Sequence, residues 1–362
     1  MEESKLILPG YLKALVVLLL IIIIVFIVIM GRGILIPLFL GGLIAVLLTP
    51  AAEFLERIRI PRIPSTLISV TTGLLAILGI LAFVVMQVAV FSRDLENVGE
   101  KLNKYLFEID TYLKSWGIES EIGRGLDQDY LVTIIESNSS SLGEFLFTTI
   151  GSLAGVVLLP VFAFFLLLYR DHLTTFIANL YHHHHKGYIK REIRAIRRVV
   201  QQYIIGILKV MAILAVLNTA VLFGLGIQHA IFFGVFAALL NIIPYLGPFL
   251  GAILPTIFAF LTTDSLFYPI GVVIAFQIIQ LIESNFLTPK IVGNNVNLNA
   301  FVTFLGLLIG ASIWGIIGMI IIIPVMAVLR KIFEFSEATR PFALLLGEEI
   351  IEDDPDEIEK LD

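Results

Sequence analysis

Val210 to Thr263 reads VMAILAVLNTAVLFGLGIQHAIFFGVFAALLNIIPYLGPFLGAILPTIFAFLTT, without one Lys, Arg, Asp or Glu. A helix needs about 20 apolar residues to cross the ~30 Å hydrocarbon core of a bilayer. The run is therefore long enough for more than one crossing, and the polar turn Gly226-Ile227-Gln228-His229 divides it. Its second part, Ala230 to Thr262, is too long for one untilted span and is interrupted by Asn241-Ile242-Ile243-Pro244-Tyr245-Leu246-Gly247-Pro248. Proline removes a backbone donor and clashes with the preceding turn, so two prolines flanking a glycine break a helix. The reading is two half-helices, one down and one back, meeting in a turn at membrane depth.

Working outward, the same texture fills the chain. Ala14 to Gly31, Gly33 to Ala52, Ile63 to Ser92, Phe145 to Tyr169, Ser265 to Ile282 and Ile291 to Leu329 are also free of charge. The whole sequence is 58% hydrophobic and 15% charged, against about 25% charge in a soluble domain. Continuous Leu, Ile, Val and Phe without strict alternation excludes the dyad repeat of an outer-membrane barrel. The first apolar run opens with an acidic Met1-Glu2-Glu3-Ser4-Lys5 and lacks a small-x-small cleavage site, so it reads as a retained helix. With zero Cys, disulfide and thiolate chemistry are excluded.

Basic residues near span ends mark the cytoplasmic side. Arg170, Lys186, Lys190, Arg191, Arg194, Arg197 and Arg198 gather before Val199, and Arg57, Arg59 and Arg62 precede the third run. Both loops are expected inside, with both chain ends, which places the hydrophilic segment between Asp94 and Glu144, rich in acids, outside. Leu95, Val98, Leu102, Tyr105, Leu106, Ile109, Tyr112, Leu113 and Trp116 recur there at helical steps, predicting a small helical extracytoplasmic domain. The chain thus divides into 1–91 for three spans, 92–145 for the outer domain, 146–201 for a fourth span and basic loop, 202–333 for a transport core, and 334–362 for an acidic tail.

The core repeats its own pattern. Leu266 to Ile282 forms a plain helix, and Asn299 to Lys331 is again long enough for two half-helices, its middle carrying Gly306, Gly310, Ala311, Ser312, Gly315 and Gly318. Two units of helix plus broken hairpin, inserted with opposite polarity, are the inverted-repeat layout of many secondary transporters.

Irregular backbone at membrane depth is tolerated only where protein or a water-filled cavity satisfies it. Asn241, Pro244, Tyr245, Gly247, Pro248 and Gly251 are therefore the first candidates for a substrate or ion pathway, with Gly310 and Ser312 at the second break. Glu283 is the next, a carboxylate after a long uncharged run, in the company of Gln277, Gln280, Ser284, Asn285, Thr288 and Pro289. It serves either as a protonatable coupling group or as an interfacial acid paired with Lys290 or Arg330. His182 to His185 lack the Cys or carboxylate partners of a zinc site, and the basic run from Lys186 suits anionic lipid heads better than nucleic acid. No H-E-x-x-H, G-x-S-x-G or G-x-x-x-x-G-K motif occurs, so neither an enzyme, a cofactor nor ATP hydrolysis is expected.

Asn241 to Pro248 with Gly251, and Glu283-Ser284-Asn285-Phe286-Leu287-Thr288-Pro289-Lys290-Ile291-Val292-Gly293, resemble the two signature segments of the autoinducer-2 exporter (AI-2E) family. Leu48-Thr49-Pro50, Leu55-Glu56-Arg57 and Ile60-Pro61-Arg62 are similar to its loop after the second helix, and Asn299 to Lys331 to its Gly-rich last segment. The Gly-Leu-His-Pro-like sequence common after that Gly is replaced here by Val296-Asn297-Leu298-Asn299-Ala300. The resemblance implies a bacterial or archaeal inner-membrane protein of about eight helical segments, a homo-oligomer, exporting a small signal molecule or exchanging sodium for protons. The expected fold is thus an all-α polytopic membrane protein with two broken re-entrant hairpins in an inverted repeat. The expected function is secondary transport of a small polar solute or ion through the lipid bilayer. An uncoupled oligomeric channel and a membrane scaffold are the alternatives.

Overall fold

The computed structural model describes residues 9–94, 110–111, 113–116, 153–179, 186–292, 298–335 and 337–348. The described residues are helical, with one isolated bridge between Leu298 and Gly347 and no strand. Six helices are long and apolar enough to cross a membrane, or seven if the pair Val157–Leu168 and Arg170–Asn179, bent by 65°, is one span. The chain is an all-α multi-pass membrane protein. Most of the expected outer domain, His182 to His185, Gly293 to Asn297 and the tail beyond Glu348 lie outside the described residues.

The first half consists of α1 (Gly10–Met30), α2 (Arg32–Arg57), α3 (Arg62–Asp94), α4 (Leu153–Leu168) and α5 (Arg170–Asn179). Lipid tails are as apolar as leucine, so helices associate here through close packing of small residues. Gly41 shows this: a Cβ there would come 3.0 Å from the Ala163 backbone nitrogen. Ala45, Ala52, Val70, Ala163 and Leu167 form the core between α2, α3 and α4. Helix α1 buries no residue, and the Trp314 indole donates to its Val28 carbonyl at 3.0 Å. At one end of this bundle Arg170 pairs with Glu56 (2.5 Å), Arg62 with Asp171 (2.8 Å) and Arg197 with Glu53 (3.7 Å).

The second half is built on α6 (Lys186–Gly224), whose 39 residues make it about 58 Å long at 1.5 Å per residue. That is nearly twice the core thickness, so its basic first third, expected from sequence to be loop, is helical and projects beyond the apolar layer. Beyond it come α7 (Ala230–Leu240), α8 (Leu246–Thr262), α9 (Phe267–Ile282), a π-helical turn (Glu283–Leu287), α10 (Thr288–Ile291), α11 (Ala300–Phe333) and α12 (Arg340–Leu346).

Helices α7 and α8 fold back on each other. The Phe233 and Phe258 rings meet tilted with centroids 5.0 Å apart, a Cβ on Gly251 would lie 2.9 Å from Ala237, and one on Gly247 would overlap the Leu240 carbonyl. Their contacts climb one helix while descending the other, which defines an antiparallel hairpin. The arms hold 11 and 17 residues, about 16 and 25 Å, so each is shorter than a full crossing.

Helix α11 is a second hairpin. Its backbone leaves helical values at Trp314 (φ −132, ψ 18) and Gly315 (φ 62, ψ −140). A Cβ on Gly318 would overlap the Gly310 carbonyl, and one on Gly306 would overlap the Met326 sulfur. In an unbroken helix Gly310 and Gly318 would stand about 12 Å apart; their contact shows that the chain reverses at Gly315, where the positive φ suits only glycine. The two breaks anticipated from the sequence are thus both reversals of the chain.

Candidate functional site

Equal arm lengths set the depth of the site. Helix α8 has 17 residues and α9 has 16, and they run antiparallel from the short connection around Asp264. Both therefore end about 25 Å from that connection, which brings the tip of the first hairpin level with Glu283.

The tip is a tight turn. Tyr245 has φ 65 and ψ −46, and the Leu246 amide donates to the Pro244 carbonyl at 2.8 Å. This is a γ-turn with a positive-φ centre, a form rare because it is strained. The Tyr245 ring, largely exposed, makes an edge contact at 6.3 Å with Phe304 of the second hairpin.

On the facing side α9 widens into the π-turn Glu283–Leu287. A π-turn bonds i to i+5, which releases carbonyls from the ordinary ladder. Ser284 Oγ donates to the Gln280 carbonyl at 2.9 Å and Asn285 Nδ2 to the Leu281 carbonyl at 2.8 Å. Glu283 is 8% exposed. Gln280 Nε2 donates to its Oε2 at 2.7 Å, and Thr288 Oγ1 donates to its Oε1. Both partners are neutral. Arg330, named from sequence as a possible counter-ion, instead faces Glu334 at 3.4 Å, and no cationic side chain among the described residues pairs with Glu283.

Between tip and π-turn lies a cavity of about 600 Å³ lined by Tyr203, Ile207 and Val210 of α6, Asn241, Pro244, Tyr245 and Pro248 of the hairpin, and Gln280, Glu283, Ser284 and Thr288. A second cavity of about 490 Å³ continues between α8 and α9 past Thr256 and Gln277, and shares Tyr245, Pro248 and Gln280 with the first. Both volumes suit a small molecule. Of the residues singled out from the sequence, Asn241, Pro244, Tyr245, Pro248, Gln280 and Glu283 converge on the first cavity. Gly247 and Gly251 let the arms of the first hairpin touch, and Gly310 does so in the second, where Ser312 bonds the Leu308 carbonyl at 2.8 Å. Pro289 lies in α10, one residue beyond Thr288.

Residues 15–338 match the sequence profile described as AI-2E family transporter. The chain belongs to the AI-2E transporter family. The AI-2 transport protein TqsA of Escherichia coli (strain K12) is 25% identical over 320 residues, 87% of this chain and 90% of its own length. YrrI of Bacillus subtilis (strain 168) is 28% identical over 311 residues, covering 83% and 85%. YueF of the same strain is 27% identical over 315 residues, covering 82% of each.

Two features of this AI-2E chain escape a reading of its sequence. Asn218 is 5% exposed in α6 and its Oδ1 has no hydrogen-bond partner; in the sequence it is one polar residue in a plain apolar helix. Tyr203 lines the first cavity from α6, where the sequence shows only the start of an amphipathic run. A signal for Asn218 does exist, because an uncharged but strongly polar side chain in mid-span is expensive.

Proposed function

We propose that this AI-2E chain is a secondary transporter of the bacterial or archaeal cytoplasmic membrane. It carries a small polar solute through the paired cavities and couples that movement to a proton or cation at Glu283. The supporting observation is the setting of Glu283: a buried carboxylate on the cavity wall, held by two neutral donors. Acids buried at membrane depth mark ion and proton pathways. A proton or a bound cation can neutralise the side chain there, so occupancy of the cavity and the charge state of Glu283 depend on each other.

The polar lining supports the substrate class. Carboxamides, hydroxyls and one carboxylate, set against Tyr245 and Ile207, suit a small hydroxylated solute better than a lipid. The relative TqsA is named an AI-2 transport protein, which makes autoinducer-2 the first solute to try. The two hairpins, each with arms shorter than the bilayer, support a re-entrant pair whose tips line the pathway.

The test is flux in proteoliposomes holding the purified chain. Autoinducer-2 accumulating against its own gradient when a pH or sodium gradient is imposed supports coupled transport. Equilibration that never exceeds the external concentration would make the protein a channel, and no flux of any solute would leave a scaffold.

A further inference from the structure

The first third of α6 has two faces. Ile189, Val200 and Tyr203 are buried, while Arg191, Arg194, Arg198 and Gln202, at steps of three and four residues, are exposed along the opposite side. Arg191 meets Glu192 only across 3.8 Å, with its side chain 71% exposed. Arg194 donates to the Lys190 carbonyl at 3.2 Å, and neither it nor Arg198 pairs with a carboxylate among the described residues. Like charges at such spacing destabilise a helix, so a counter-charge on this face would relieve it.

The second hairpin returns the chain to the same end of the molecule. Trp314 at its tip bonds Val28, beside the start of α2, whereas Arg197 pairs with Glu53 near the other end of α2. The arm from Gly315 to Phe333 therefore runs toward the arginines. There α12 ties the two feet of the hairpin together, for Thr339 Oγ1 donates to the Phe333 carbonyl at 2.9 Å and the Asn299 amide donates to the Leu346 carbonyl at 2.9 Å. Leu298, bridged to Gly347, packs on the same apolar cluster as Tyr203. Arg198 is five residues, about 7.5 Å, from Tyr203 along α6. From this fixed root follow residues 349–362, with eight acids against the single base Lys360. At about 3.3 Å per extended residue they reach the whole basic face, which covers about 10 Å from Arg191 to Arg198.

We propose that residues 349–362 dock on the basic face of α6, their carboxylates meeting Arg191, Arg194 and Arg198. Charge complementarity and reach carry this inference, and guanidinium groups hold carboxylates in bidentate pairs. The tether keeps the acids at an effective concentration of about millimolar. Anionic lipid fits the face less well, because α6 projects beyond the apolar layer. Arg191 lies six residues, about 9 Å, further out than Arg197, so a lipid surface meets only the nearest of these charges. The contact joins α6, which supplies Tyr203, Ile207 and Val210 to the large cavity, to the foot of the second hairpin.

The sequence contains no Cys, so two spin labels can be placed on the full chain in zwitterionic nanodiscs. Gly187→Cys takes one, at a site where a Cβ meets nothing within 4 Å, and Leu361→Cys takes the other. Pulsed dipolar distances at low salt should show a narrow docked component. At 1 M salt, where the screening length is about 3 Å, the ratio of docked to free molecules should fall about tenfold. Arg191→Gln, Arg194→Gln and Arg198→Gln together should cause the same loss at low salt, whereas Arg32→Gln, at the other end of α2, should leave the ratio unchanged. Should the triple variant fail to fold, Asp353→Asn, Asp354→Asn, Asp356→Asn and Glu357→Gln together neutralise the opposite partner without touching α6, with the same loss expected. A wild-type distribution as broad at low salt as at 1 M, or a narrow one indifferent to salt or to either neutralisation, overturns the proposal and leaves the face to anionic lipid.

Discussion

Replacing Gly318 by alanine separates a hairpin from a straight helix by the sign of one stability change. In the hairpin, a Cβ on Gly318 overlaps the Gly310 carbonyl, and one on Gly310 comes 2.6 Å from the Gly318 carbonyl oxygen. The arms must part by about 1.5 Å to restore an ordinary contact, and overpacking of this kind costs about 1–3 kcal/mol. The helix-propensity gain of alanine over glycine, about 1 kcal/mol, offsets only part of that. Gly79 in α3 is the control, since a Cβ there meets nothing within 4 Å and Gly79→Ala should gain the propensity term undiminished. Chemical unfolding in mixed micelles, followed by far-UV circular dichroism, reads both variants against wild type. Gly318→Ala is expected to be less stable by up to about 2 kcal/mol and Gly79→Ala more stable by about 0.5–1 kcal/mol. If both substitutions stabilise alike, Gly310 and Gly318 do not touch and the reversal at Gly315 is refuted.

Other outcomes depend on named contacts. Tyr245→Gly relieves the positive-φ turn whereas Tyr245→Ala does not, so the glycine variant should be the more stable of the two by about 1–3 kcal/mol in the same unfolding assay, although both lose the Phe304 contact. Arg170 is 9% exposed beside Glu56, and Arg170→Leu strands that carboxylate; the expected loss is about 2 kcal/mol. By contrast Asp171→Asn breaks the more exposed pair with Arg62 and should stay within about 0.5 kcal/mol of wild type. Cysteines placed at Tyr245 and at Ala311 should be labelled by impermeant thiol reagents from opposite sides of sealed vesicles, and same-side labelling would contradict an inverted pair of hairpins.

How much of this was legible in the sequence depended on whether the cause was local. The first reversal was, because Pro244, Gly247 and Pro248 each act on their own turn. The second was visible as a cluster of small residues, but its position at Gly315 comes from the Gly310–Gly318 contact between arms. Glu283 stood out as a lone charge, yet the π-turn that carries it leaves no mark on the apolar spacing, and its partners Gln280 and Thr288 lie on opposite sides of that turn. The bend at Tyr169 was hidden in the same way: the apolar run simply ends there, and α5 continues as a short polar helix. Trp314 reaching the Val28 carbonyl spans nearly the whole chain, and no local pattern foretells such a bond.

The measurement that bears most directly on coupled transport through Glu283 is the pH dependence of gradient-driven flux in proteoliposomes, wild type beside Glu283→Gln. Glutamine keeps the size and hydrogen-bonding reach of the side chain while removing its titration. Coupling at Glu283 predicts flux that varies with pH in wild type and a flat profile without uphill accumulation in Glu283→Gln. A variant that still accumulates solute with the wild-type pH profile would contradict it, and would return Glu283 to the role of a buried structural acid.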